Sequence, residues 1–239
     1  MSASEVLGDE PCSRGSVMVL DSFHAPGCFL VTLLLKHALK NGDKVVLLAV
    51  DQAPSHYKQV LRKLGVDMDK LVEAEQLVLI SCLSGGAEHE DIPSTGLCQA
   101  VYAKVAAAIE QLSSAAGERR LSLFVDDLSI LAALSGRFRG DVAKLIDSSR
   151  GLCCSLEMEF RFVCLAHRNV ELDGQWIGLL KETADAVVAV ESLGSVSDDI
   201  HGQVAMTHNR VWAPGQDMHC SFYYRLVEGG VRFWTAVAL

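Results

Sequence analysis

The chain has 239 residues, half of them hydrophobic and 21 % charged, with 30 acidic against 21 basic side chains for a formal net charge of −9. A chain of that length buries roughly 70 % of its unfolded surface, so it needs no disulfide or metal staple, and such a composition excludes a disordered or low-complexity protein. Its charge opposes any long-range capture of nucleic acid by this chain alone, so an RNA contact has to be local or shared with other subunits.

In chain order, residues 1–15 read as a flexible tail and 16–239 as a single domain. The tail carries Glu5, Asp9 and Glu10 ahead of Arg14 and has no apolar centre, which is not the pattern of a secretory signal. The longest apolar stretch, 29–39, is broken by Lys36 and His37 and falls short of the ~18 to 20 residues that a spanning helix needs. No membrane is expected as a partner, and an intracellular chain is, cytoplasmic first and nuclear second.

Residues 16–20 form a short apolar run ending at Asp21. Pro26 follows, then Phe29, Leu30, Leu33, Leu34 and Ala38 at helical spacing, closed by Gly42; this predicts strand, loop, helix. Residues 44–50 (KVVLLAV) are apolar without alternation, as in a parallel strand covered on both faces. Pro54 then opens a helix with Tyr57, Val60, Leu61 and Leu64 on one face, ended by Gly65.

A third strand is predicted at 76–83, followed by an acidic insertion at 84–96 and a long helix with Leu97, Val101, Val105, Ala108 and Leu112 on one side. Residues 121–125 read as strand four, 141–154 as a helix and 160–166 as strand five. After that the pattern changes to strands at 186–191, 202–208, 221–227 and 231–236, with little room for helices and a hairpin turn at Glu228, Gly229 and Gly230. The fold class is α/β: a doubly wound, mostly parallel sheet with an antiparallel meander at its C-terminal edge.

Ligands of such sheets bind at the carboxyl ends of the strands. A phosphate loop there needs G-x-x-x-x-G-K-[ST], with backbone donors around the phosphates, a lysine for charge and a hydroxyl for magnesium. The loop after strand one, Asp21 to Phe29, keeps Gly27 but has Cys28 and Phe29 where Lys and Ser/Thr belong. Asp21 adds a negative charge and Pro26 removes a donor, so the loop reads as degenerate.

Strand four ends in Asp126 and Asp127, the shape of a Walker B segment; the structural reading is that Asp127 caps the next turn while Asp126 bonds neighbouring loops. His56 and His167 read as polar structural residues and His37 as a helix-face residue. The eight cysteines contain no C-x-x-C pair and read as buried, reduced thiols, so no metal and no cofactor is expected. Arg137, Phe138 and Arg139 after strand four, and His167, Arg168 and Asn169 after strand five, are the loops that could touch RNA, with Arg137, Arg139 and Arg168 as its contacts. Two enzyme readings stand beside the non-catalytic one: an NTPase with an unorthodox pocket using Asp126 or Asp127, and a thiol enzyme using Cys28 at a helix N-terminus.

Segments DSFHAPGCFL (21–30), PSHYKQVLRKLGV (54–66), QLVLI (76–80), FVDDLSIL (124–131), VCLAH (163–167), HGQVAM (201–206) and SFYYRL (221–226) resemble those of a known family, the sixth subunit of the Elongator complex. The resemblance runs through 17–236 and leaves the insertion and the tail unaligned. It implies a RecA-like domain without nucleotide-binding motifs, a pseudo-ATPase that joins subunits 4 and 5 in a heterohexameric ring with two copies of each. It further implies that the ring binds tRNA and supports 5-carboxymethyl-type modification of the wobble uridine, with the chemistry carried by another subunit.

Overall fold

The computed structural model describes residues 6, 12, 15–82, 97–114, 120–135, 138–168, 174–194, 199–209 and 219–235. Among the described residues, nine strands form one sheet in the order β3-β2-β4-β5-β1-β6-β7-β8-β9. The strands are β1 (Val17–Asp21), β2 (Lys44–Ala49), β3 (Leu77–Ser81), β4 (Arg120–Val125), β5 (Glu159–His167), β6 (Ala186–Glu191), β7 (Gly202–His208), β8 (His219–Val227) and β9 (Gly230–Thr235). The helices are α1 (Cys28–Lys40), α2 (Pro54–Lys63), α3 (Met68–Glu73), α4 (Leu97–Ser114), α5 (Leu128–Ser135), α6 (Phe138–Ser155) and α7 (Gly174–Thr183). Two compact units divide the chain: Met1–His37 with Val163–Leu239, and Ala38–Phe162. The first unit comes from two separate stretches, so no linker composition marks the division.

In the unit Ala38–Phe162, β2 is buried along its whole length and pairs in parallel with β3 and β4. Its unbroken apolar run is the consequence of cover on both faces. Pro54 starts α2 because its missing N–H is one that a helix start leaves without a partner anyway. The helix ends where Gly65, at φ +79°, donates to Arg62 O at 3.1 Å and Val66 donates to Leu61 O at 2.9 Å. That pair of bonds is a Schellman cap, and the left-handed position is why a glycine stands there. Helix α4 buries Val101, Val105, Ala108, Ile109 and Leu112, the stripe its spacing predicts.

At the other end of this unit's strands lies a buried ionic cluster. Asp43 Oδ1 meets Arg120 Nε at 3.0 Å, Asp43 Oδ2 meets Arg161 Nη1 at 3.8 Å and accepts the Ser122 hydroxyl at 2.9 Å. Arg161 is fully buried, with its guanidinium over the Phe124 ring at 5.8 Å. One carboxylate thus balances two cations inside the core.

In the other unit, β1 lies between β5 and β6, parallel to both, with Val17 opposite Val163 and Ala186. Strands β6 to β9 form an antiparallel meander in which Gly229, at φ +80°, makes the last turn. Residues on β6 and β7 alternate buried and half-buried.

The element order departs from the sequence-based expectation at three helices. Helix α3 has six residues, too few for a periodic stripe. Helix α5 (LSILAALS) is apolar nearly all round and so shows no period. Helix α7 lies between β5 and β6, where no individual element was predicted; Gly174 and Gly178 weaken its helical pattern. Helix α6 begins at Phe138, three residues before its predicted start, so Phe138 and Arg139 stand in its first turn and not in a loop, and α5 separates them from β4. The insertion at 84–96 lies outside the described residues, as does most of the 1–15 tail.

Candidate functional site

Asp21 ends β1 at 3 % exposure, and its carboxylate is the centre of the turn that follows. Oδ2 accepts the backbone N–H of Gly27 at 2.7 Å, and Oδ1 sits 2.6 Å from Nδ1 of His167, the last residue of β5. That contact places the proton on Nδ1 and orients the ring. Ser22 and Ala25 exchange backbone bonds at 3.0 and 3.4 Å, which closes a tight loop with Phe23 and His24 at its tip. Phe23 is 89 % exposed and meets the His24 ring edge-on.

Gly27 is there because nothing larger fits. A Cβ on it would stand 3.0 Å from Asp21 Cβ, 3.0 Å from Val19 Cγ1 and 3.2 Å from Val190 Cγ2. Cys28 starts α1 with an exposed side chain, and the half-buried Phe29 packs against Tyr224 with ring centroids 4.8 Å apart. Burial pushes the Tyr224 hydroxyl above its ordinary range, and the neighbouring Cys28 and Asp21 push it further.

In a working phosphate loop the inward amides and the helix start receive phosphate oxygens. Here the Gly27 amide already serves a carboxylate of the same chain, and neither a lysine nor a hydroxyl follows it. A like charge 4 Å from Asp21 would meet about 4 kcal/mol of repulsion in partly buried surroundings. These residues do not fit a magnesium nucleoside triphosphate.

The other candidate carboxylates have separate duties. Asp126, 5 % exposed, accepts from Val50 N at 2.6 Å and Asp51 N at 3.2 Å on Oδ1, and from Gln52 N at 3.0 Å and the Tyr57 hydroxyl at 3.0 Å on Oδ2. Four donors fill the four lone-pair sites a carboxylate offers, so its work is to pin the loop between β2 and α2. Burial pushes the Asp126 carboxyl above its usual range, while the three amides and Tyr57 pull the other way. Asp127 Oδ1 accepts Ile130 N at 2.8 Å and so caps α5. Both carboxylates have the structural roles their positions predict.

Cys82, whose thiol burial and then Asp126 push up to about 11, is held in the unreactive thiol form at neutral pH. No disulfide joins the eight cysteines, and Cys28 and Cys154 are exposed, not buried as the apolar surroundings of most cysteines predict. Among the described residues no cluster of histidine, cysteine and acidic side chains is arranged to hold a metal.

Of the three arginines expected at RNA, Arg168 donates to Val190 O at 3.1 Å and pairs with Glu191 Oε1 at 3.1 Å, so its guanidinium is folded onto the end of β6. Arg137 and the side chain of Arg139 lie outside the described residues. Sequence reasoning missed the joint role of His167, which shares Asp21 with Gly27, and that of Tyr57, which looks like one more residue of an apolar stripe; its hydroxyl and the loop ahead of α2 were the available signal.

The family model described as Elongation complex protein 6 matches residues 4–228. The chain belongs to that family. Among curated relatives, "Elongator complex protein 6" of Homo sapiens is 28 % identical, covering 93 % of this chain and 91 % of its own. Its counterpart from Xenopus tropicalis is 26 % identical over 95 % and 93 %. Among solved structures, a KaiC-like protein, PH0186 of Pyrococcus horikoshii, superposes with a TM-score of 0.63 over 92 % of this chain and 89 % of its own, at 10 % identity. That likeness shows the fold alone, a RecA-like α/β sheet. Members of the family are subunits of the Elongator complex by name, and the chain is such a subunit.

Proposed function

We propose that the chain is a non-catalytic accessory subunit of Elongator, joined with subunits 4 and 5 in a heterohexameric ring that binds tRNA and supports 5-carboxymethyl-type modification of the wobble uridine. The observation that carries the non-catalytic part is the bond from the Gly27 amide to Asp21, which puts an internal anion where a nucleotide's phosphate would sit. The four donors on Asp126 support it, since a carboxylate so engaged has no lone pair left for magnesium. The family membership supports the rest of the reading. A chain of net charge −9 contributes little attraction for tRNA by itself, so the ring's RNA affinity comes from combined surfaces. The same reading puts the protein in the cytoplasm, with the nucleus as its second compartment.

The test is reconstitution. Purified chain is mixed with subunits 4 and 5 and sized by light scattering, then assayed for ATP hydrolysis alone and assembled, and for tRNA retention. A ring that forms, holds tRNA and needs no hydrolysis by this chain is the expected result. A monodisperse chain that ignores both partners would refute ring membership. Steady hydrolysis by the isolated chain, lost in Asp126→Asn or Asp127→Asn, would replace this reading with that of an active NTPase.

A further inference from the structure

Residues 52–66 contain Lys58, Arg62 and Lys63 and no acidic side chain, although acids outnumber bases in the chain by 30 to 21. Folding puts these three cations on one helix. Helix α2 turns Tyr57 and Leu61 into the core and leaves Lys58, Gln59, Arg62 and Lys63 exposed. It is held at both ends, by the bond from the Tyr57 hydroxyl to Asp126 at 3.0 Å and by the Gly65 cap. The cations therefore stand on a fixed support, which lowers the ordering cost of a contact made through them.

Between this face and α3 lies a cleft of about 420 Å³. Its acids are already engaged: Asp69 meets Lys58 at 2.5 Å, and Asp67 meets Lys70 at 3.6 Å. Arg62 and Lys63 line the same cleft and have no ion pair among the described residues. Basic groups in a last turn complement the helix dipole, but that leaves the N–H fork of Arg62 to solvent.

The lining also bears on the kind of occupant. Protein interfaces gain from an apolar centre with aromatic anchors. Here the apolar lining residue, Met68, is 3 % exposed, and the others are charged or an amide. Two uncompensated cations beside an amide match the phosphate backbone of a nucleic acid, which Arg, Lys and Gln side chains contact without reading sequence. The chain's net charge of −9 weakens attraction from a distance. Exposed charges more than about 8 Å apart are largely screened at physiological salt, so this pair acts on what touches it.

We infer that the outer face of α2, through Arg62 and Lys63 with Gln59 beside them, is where this chain touches the phosphate backbone of the RNA held by the ring. This rests on the ring reading proposed above, and it moves the contact away from Arg168, whose guanidinium is folded onto β6.

The chain is reconstituted with subunits 4 and 5 as wild type, as Arg62→Gln with Lys63→Gln, and as Lys144→Glu, an exposed cation on α6. Both variants lower the net charge by two, so Lys144→Glu controls for charge alone. Melting temperature and light scattering establish that each variant folds and assembles. Affinity for an unmodified tRNA transcript is measured by fluorescence anisotropy from about 50 to 200 mM salt. Each lost phosphate contact lowers the slope of log affinity against log salt by about one. The double variant is expected to lose about two from that slope for each copy that engages the tRNA, and to bind about tenfold more weakly at low salt, with Lys144→Glu unchanged.

An unchanged slope with an affinity within about twofold of wild type overturns the inference and leaves the ring reading standing. Equal weakening by Lys144→Glu overturns it as well, since net charge alone then accounts for the effect. A double variant that folds but no longer joins subunits 4 and 5 makes this face a protein interface, which also refutes the RNA contact. A wild-type ring that holds no tRNA sinks both readings. A photo-crosslinking residue in place of Gln59 supports the inference by an adduct with tRNA, whereas an adduct with another subunit counts against it.

Discussion

Replacing Asp126 by Asn separates a structural carboxylate from a metal-holding one. The amide nitrogen is best accommodated at Oδ2, where the Tyr57 hydroxyl can turn to accept from it; the Gln52 N–H, 3.0 Å away, then faces a donor and loses its acceptor. A buried donor left without an acceptor costs about 1–3 kcal/mol, and the remaining amides exchange an ionised acceptor for a neutral one. Burial that already opposes ionisation of Asp126 returns part of this, which leaves a net loss of about 2 kcal/mol. For a chain of this size the melting temperature falls by about 4–8 °C. Differential scanning fluorimetry with urea melts measures it, and Tyr57→Phe, which removes one neutral donor, is expected to cost about 1 kcal/mol. An Asp126→Asn protein that melts within 1 °C of wild type would refute the loop-pinning role.

The carboxyl of Asp126 is raised in the folded state, so the folded chain holds its proton more tightly than the unfolded one. Its contribution is fully present below the ordinary carboxylate range and is lost as pH rises from there through the raised value; urea melts across that window are expected to show a slope that Asp126→Asn flattens. Gly202→Ala would bring a Cβ to 2.5 Å from Glu191 O and 2.8 Å from Tyr224 Cε1, and overpacking of that kind lowers stability by about 1–3 kcal/mol in a chemical melt. Arg161→Ala removes a fully buried cation from Asp43 and is expected to cost about 3–5 kcal/mol, with Arg161→Met milder because it refills the space.

The strands were legible where burial on both faces leaves an unbroken apolar run, as in β2, and the helices where one face alone is buried, as in α4. Helix α5 escaped because a segment apolar on nearly every side, including the exposed Ala133 and Leu134, has no polar stripe to set its period. At the site, the degenerate loop and the capping role of Asp127 are local, since cap and amide are three residues apart. What closes the loop is not local. His167 lies 146 residues from Asp21, and Tyr57 lies 69 from Asp126; strand order alone brings such pairs together, and no spacing rule within one segment encodes it.

The Asp21 carboxylate also bears on regulation. An anion tethered to the backbone six residues from its amide donor acts at an effective concentration that no dissolved metabolite matches, and it cannot diffuse away. A dissolved anion that reaches the Gly27 amide therefore has to displace this carboxylate first.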